Sequence, residues 1–449
     1  MKKLFLSALF LCLIVGFFIG CSKNSSVSTS SAGTATYGSV QKPITIRVIK
    51  IDDPLEAMAF RDMLVEFHQI EGGKYANINV EFDIKPFGDL ATAITQAVAT
   101  KADVDLALVD GPDIRHYAFN KVIRDLSKNF TQEELKTWAP QSVEEGSYNG
   151  KFYGPPEAQS AQLLWYNVDM MKEAGIDVTD KSGWKLGPNG DALAKFQKLT
   201  VDKSGNGTPD VFGVDTDGPW DYYYGVVNRS AGAKGSNTYK AMADDGITFT
   251  GYFDTPEAIE AFQFQQDLVY KYKVKSAQTI TNQMFTGKSA TTLYQDMIIG
   301  TQKDMYPDFN MGAIEPTYWT TPMCYTGSWH YAILQTTKNF DAALAFLKFA
   351  SSDAGAKYVW KYKNQFPANV NLYNSIDEFV DPNNPRHLMV QYFEKAGVTR
   401  LSTPAYTEYN TLFTEYWQSL MAGEKDVAGL THKYAAEMTS AAQQYKGWK

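Results

Sequence analysis

"ITIRVIKIDDPLEAM" (Ile44–Met58) sets a strand against the start of a helix, with two aspartates between them. Ile44 to Ile51 is rich in β-branched residues and reads as a buried strand. Asp53-Pro54-Leu55-Glu56 then combines an N-cap Asp, Pro at the first helical position and a Glu placed to complete a capping box. Leu55, Met58, Met63, Phe67 and Ile70 continue at helical spacing. The alternation repeats downstream. "NINVEFDIKP" (Asn77–Pro86) puts Ile78, Val80, Phe82 and Ile84 on one face of a strand. "GDLATAITQAVATK" is a second helix and "DVDLALVD" (Asp103–Asp110) a third strand. This βαβαβ order predicts an α/β fold with a mostly parallel, doubly wound sheet. In such sheets ligands bind beyond the carboxyl ends of the strands, so Asp52, Asp53, Asp110 and Asp113 become cleft candidates. Capping and turn duty suits each of them equally.

The start of the chain bears on where the protein works. Lys2 and Lys3 precede an apolar run from Leu4 to Gly20 that stops at Cys21 and falls into "SKNSS". Phe18-Ile19-Gly20-Cys21 resembles the lipobox of bacterial lipoproteins, with Phe where Leu is usual. The expectation is a signal peptide over 1–20, lipidation at Cys21, and a chain facing outward from the membrane; an uncleaved anchor is the alternative. Residues 21–42 are then the lipidated Cys and a Ser-, Thr- and Gly-rich flexible tether spanning roughly 25 Å. With Cys12 in the leader and Cys21 lipidated, Cys324 is left alone, which excludes an internal disulfide.

The 407 residues from Pro43 onward exceed what one core usually supports, so two lobes are expected. Without Lys2 and Lys3 the chain carries 40 basic against 50 acidic residues, which argues against nucleic acid as a partner. Enzyme signatures are missing. No His-Glu-x-x-His or Gly-x-Ser-x-Gly occurs, and "TGKSATT" (Thr286–Thr292) lacks the Gly that a phosphate loop needs at Asn282. Glu133-Glu134 and Glu144-Glu145 read as solvated faces. "DKSGNGTPD" sets Asp202, Ser204, Asn206 and Asp210 at calcium-loop spacing, but Gly213 stands where the bidentate Glu belongs; a structural Ca²⁺ competes with a plain Asn-Gly turn. No other cofactor is expected.

"YNGKFYGPPEAQSAQLLWYNVDMMKEAGID" (Tyr148–Asp177) supplies more. Its Tyr153-Gly154, Pro156, Tyr166-Asn167 and Gly175 resemble a hallmark of the extracellular solute-binding proteins of bacterial ABC importers, family 1, the carbohydrate group that includes maltose-binding protein. "LAKFQKLTVDKSGNGTPDVFGV", "FTGKSATTLYQDM", "TGSWHYAIL", "FLKFASS" and "QFPANVNLY" follow in family order. The resemblance implies a two-lobed periplasmic-binding-protein (type II) fold, each lobe a mostly parallel doubly wound sheet, hinged by three crossovers. The first lobe would hold residues 43–156 and 328–398, the second 157–327 and 399–449. It implies a monomer that captures a sugar and delivers it to an ABC permease; a glycan-active surface enzyme or a sensor are the alternatives. By family position Gln159, Ser160, Trp329, His330, Tyr294, Gln295 and Asp296 would line the cleft. "GPWDYYYG" adds Trp220, Asp221 and Tyr224 as an aromatic and carboxylate mixture suited to sugar faces and hydroxyls. Each of these aromatics could instead be core. Gln295-Asp296-Met297 stands where the family often has Gly-x-Trp, which removes a stacking platform and argues against a long maltodextrin.

Overall fold

The computed structural model describes residues 37–448 except 217 and 219; the leader, Cys21 and residues 22–36 of the tether lie outside the described residues. Strand β1 (Ile44–Ile51) leads into helix α1 (Pro54–Phe67), β2 (Ile78–Lys85), α2 (Phe87–Ala99), β3 (Leu106–Asp110) and α3 (Asp113–Phe119). After β4 (Pro156–Ala158) the chain builds a second unit from β5 (Gln162–Asn167), β6 (Asp215–Thr216), α4 (Asp221–Arg229), β7 (Thr291–Gln295), α5 (Met297–Met305) and β8 (Met311–Ile314). It continues through β9 (Cys324–Thr326), β10 (Trp329–Ile333), α6 (Phe340–Ala350), α7 (Asp353–Lys363), α8 (Pro385–Ala396), β11 (Gly397–Thr399) and α9 (Tyr406–Met421).

The first sheet has the order β2-β1-β3-β10-β4 and the second β8-β5-β7-β6. β1 runs parallel to β2 from Ile44↔Ile78 to Ile51↔Lys85, and to β3 at Val48↔Leu106. β10 returns antiparallel beside β3, which sets Trp329 opposite Asp110. Both faces of this sheet are covered. Phe60, Met63 and Phe67 of α1 meet Leu106, Leu108 and Phe346 on one side. Leu90 and Ile94 of α2 meet Ala107 and Val109 on the other, which is why β3 is an unbroken apolar run. Full burial of such a side chain is worth about 1.5–3 kcal/mol, so these layers hold the strand ends that carry the site.

Two expectations for α1 are corrected by its facing. Asp53 does cap the helix, accepting from the backbone N–H of Leu55 at 2.9 Å and of Glu56 at 3.3 Å. Glu56 does not close a capping box: it is fully buried and lies 2.9 Å from the Lys50 ammonium. That inward ion pair sets the helix phase, so Ala59, Phe60 and Met63 face the sheet while Leu55 and Met58 stay exposed.

The lobe boundary near residue 398 is also corrected. α6 and α7 pack on the first sheet, but Phe366, Met389 and Phe393 pack with Leu163, Trp165 and Ala313 of the second. The apolar face of α8 has its complement there, so the chain passes over at Asn364–Phe366, just before "PANV". The three passages between the sheets touch. Gln159 N–H donates to the Phe366 carbonyl at 2.7 Å. Its side-chain amide donates to Ser328 Oγ at 3.4 Å and to Ser142 Oγ at 2.7 Å.

Candidate functional site

The cleft lies between the two sheets at the ends of β1, β3 and β7, with a volume of about 470 Å³. Asp53, Asp110, Asp113, Ser160, Trp220, Gln295 and Trp329 line it. So do residues not anticipated from the sequence, among them Phe87, Tyr222, Tyr223, Lys363, Arg400 and Tyr406. Lys363 and Arg400 sit at the third passage and just beyond β11. A clue was present for the first: "KNQFPANV" places Lys363 four residues before the segment-ending Pro367. Nothing in the spacing around Arg400 distinguished it.

Charge in the cleft is arranged in pairs. Arg400, whose side chain is 8% exposed, binds Asp110 with both terminal nitrogens, one of them at 2.8 Å. Asp110 ends β3 of the first sheet, and Arg400 follows β11, which pairs with β9, so this pair spans the cleft. The Thr407 hydroxyl donates to Asp113 at 3.2 Å across the same gap. Lys363 lies 3.4 Å from Asp53, 3.4 Å from Glu56 and 3.8 Å from Glu157. Ser160 Oγ donates to the Gly327 carbonyl at 3.0 Å and lies 2.8 Å from the Tyr222 hydroxyl. Gln295 Oε1 accepts from the Tyr223 hydroxyl at 3.0 Å. Aromatic rings occupy both walls. Trp329 meets Phe87 edge-on at 6.2 Å, and Trp220 lies against Tyr223 at 6.1 Å.

Six expected cleft residues turn elsewhere, which corrects the expectation for each. Strand alternation sends His330, next to Trp329, to the opposite face, where Nδ1 meets the Gly154 carbonyl at 2.8 Å and Nε2 lies 4.0 Å from Glu145. Glu145 itself is fully buried and holds Ser328, so it is no solvated face. Tyr294 and Asp296 flank Gln295 and point away from the cleft. The Tyr294 ring stacks on Tyr223 at 5.6 Å, and Asp296 accepts from the Phe366 N–H at 2.5 Å. On α4, Asp221 accepts from the Tyr409 hydroxyl at 2.5 Å, and Tyr224 stacks on Trp417 at 3.5 Å. Gln159 belongs to the passages described above. The Asp202–Asp210 loop is held by hydrogen bonds of its own. Asp202 is occupied by Ser204 and by the N–H groups of Gly205 and Gly207, and Asp210 by the N–H of Lys203. Among the described residues no three His, Cys, Asp or Glu side chains gather as a metal site.

Burial makes several carboxyls hard to ionise. Asp113 is pushed up to about 7, first by desolvation and then by the charge of Asp110, against the Thr407 hydrogen bond and Arg400. Burial likewise raises Asp221 and Asp296 to about 6. A raised carboxyl takes its proton in the folded state while the unfolded chain, with ordinary values, is still ionised. Stability therefore increases as pH falls through the raised values, until ordinary carboxylates begin to protonate. The melting temperature is expected to be higher at pH 6 than at pH 8, and Asp113→Asn should reduce that gain. Scanning calorimetry across the range checks it; a flat profile would show these groups to be solvated.

A family model described as bacterial extracellular solute-binding protein matches residues 59–357. The maltotriose-binding protein of Pyrococcus abyssi is 23% identical over 308 residues, covering 67% of this chain and 61% of that protein's own length. An ABC substrate-binding protein from Listeria monocytogenes, solved in complex with cycloalternan, superposes with a TM-score of 0.75 at 18% identity, covering 89% of this chain and 99% of that one. A maltose-bound MalE3 from T. maritima superposes at 0.72 with 18% identity, covering 88% and 99%. These similarities show the two-lobed fold. Among the described residues no helix is long and apolar enough to cross a membrane.

Proposed function

We propose that this chain, which belongs to the bacterial extracellular solute-binding proteins, captures a carbohydrate between its lobes and delivers it to an ABC permease. It binds its ligand and releases it unchanged. The observation that carries this reading is the lining of the cleft: aromatic rings on both walls, with carboxylates and cations already paired to one another. Rings offer their faces to the apolar C–H faces of a sugar. Paired Asp, Arg and Lys groups present fixed donors and acceptors to hydroxyls without demanding a charged ligand. Relatives and neighbours named for maltotriose, maltose and cycloalternan point the same way. Lipidation at Cys21 would hold the protein, as a monomer, outside the cytoplasm beside its permease. Cys21→Ser should then move it from the membrane fraction to the soluble one.

A thermal-shift screen of the full chain in mild detergent tests the ligand class. A disaccharide of about 23 heavy atoms at roughly 0.3 kcal/mol each gains about 7 kcal/mol, a Kd near 10 μM. At about a hundredfold excess over that Kd, it adds about 2.7 kcal/mol of stability, a shift of a few degrees. Sugars are expected to raise the melting temperature and small peptides to leave it unchanged. The reverse result overturns the carbohydrate reading.

A further inference from the structure

A second cavity, of about 60 Å³, lies within the second lobe and shares no lining residue with the cleft. Thr292 and Tyr294, alternate residues of β7, line it from one face of that strand, with Asp215 of β6 in register beside Thr292. Ile298 and Thr301 of α5 and the loop 280–285 close the rest. The Tyr294 ring divides the two spaces: it lines this cavity and stacks at 5.6 Å on Tyr223, which lines the cleft. Gln283 is the group that calls for a ligand. It is 4% exposed, and its backbone carbonyl accepts from the N–H of Lys288 at 2.8 Å and of Ser289 at 3.2 Å. Its side-chain nitrogen donates to the Gln278 carbonyl at 3.3 Å. That fixes the amide at both ends and leaves Oε1, buried in the cavity wall, with no partner among the described residues. A buried acceptor left unmet is costly, so the cavity favours an occupant with an O–H or N–H to give.

Charge and size narrow the occupant. Asp215 is a second buried acceptor, but its charge is already answered by the buried Lys275 ammonium. No Lys, Arg or His lines the cavity, so nothing there holds an anion. At about 10–15 Å³ for each water-sized atom, the space holds about four to six heavy atoms, too few for a hexose. We propose that this cavity is a second ligand site, which takes a small neutral polyol, a diol or triol, and whose occupant is linked to the sugar in the cleft. Hydroxyls of the polyol meet Gln283 Oε1, Asp215 and Thr301, and its carbon chain lies against Met284 and Ile298. The linkage passes through Tyr294, because an occupant backs the ring on which the cleft wall at Tyr223 rests. Binding of either ligand then alters the affinity of the other by the same factor. The linkage rests on the carbohydrate reading above; the site itself does not.

Two methionines read the two spaces separately, since Met284 lines the cavity and Met297 the cleft. The test is NMR of the full chain in mild detergent with its methionine methyl groups labelled with carbon-13, the two signals assigned by Met284→Leu and Met297→Leu. Glycerol and ethane-1,2-diol are titrated in, with methylammonium as the charged counterpart. Glycerol is expected to move the Met284 signal to saturation, with a Kd on the order of 10 mM for so few atoms, and to leave Met297 in place. Gln283→Leu should weaken glycerol about tenfold, and Thr301→Val, the milder change, about threefold. Movement that never saturates, or that Met284 and Met297 share, overturns the site. Saturation by methylammonium with the polyols silent overturns the neutral ligand. A repeat with the cleft filled by a sugar that raises the melting temperature should change the glycerol Kd by about fivefold. An unchanged Kd overturns the linkage and leaves the site. Failure of every sugar overturns the carbohydrate reading, and the glycerol titration still decides the site.

Discussion

Arg400→Ala should lose sugar binding by at least about a hundredfold and destabilise the protein by about 3–5 kcal/mol, the cost of removing one partner of a buried ion pair. The guanidinium is the cation that joins the walls: it binds Asp110 on the far side and lies 5.7 Å and 5.8 Å from the ring centres of Tyr222 and Tyr406. Without it, Asp110 and Asp113 face each other beside a cleft that closure must dry. Arg400→Lys should recover only part of the loss, since an ammonium cannot make the paired contact. A double substitution separates two roles. Asp110→Leu with Arg400→Met replaces the pair by apolar groups and should recover much of the stability but none of the affinity. Calorimetry and titration read the two quantities independently. Wild-type affinity in Arg400→Ala would remove Arg400 from the site.

Lys363→Met should be nearly as costly to stability, again about 3–5 kcal/mol, but with a pH dependence of its own. The side chain is 6% exposed and stands among three carboxylates, with Lys50 the other cation of the cluster. Glu157 is already raised to about 7 by burial and by the charge of Glu56, while Lys363 and Lys50 hold it down. Taking Lys363 away raises Glu157 further. Because a raised carboxyl binds its proton preferentially in the folded state, the loss should be largest at pH 8 and shrink toward pH 5.5. Chemical denaturation of both proteins at the two pH values measures it. An equal loss at both would mean that Glu157 is ionised regardless of its lysine.

How far the sequence could be read depended on what each residue type reveals. Buried strands announce themselves, because a run such as Leu106 to Val109 has no other use. Helix starts were legible where a cap is chemical, as at Asp53. The side toward which a residue points was not legible wherever two neighbours were equally plausible. Trp329 and His330, Gln295 and Asp296, Tyr223 and Tyr224 differ by one position, and strand or helix phase alone decides which faces the cleft. Phase came from long-range partners that periodicity does not contain, such as Phe366 for Asp296 or Gly154 for His330. Arg400 and Lys363 were missed for the same reason: a lone basic residue in a loop acquires meaning only from a carboxylate hundreds of positions away. The passage at Asn364–Phe366 was misplaced because α8 shows its packing partner only once the second sheet exists.

Gln159 does not line the cleft, yet it ties together the passages from which the two walls hang. By bonding to both neighbouring passages it links three strands of chain, and three linked strands are expected to bend as one strap about a single axis. On a one-axis door, selectivity and strength separate. The residues inside decide which sugar is preferred, while the stiffness of the strap sets how often the closed form is sampled. That sampling scales the affinity for every sugar by the same factor.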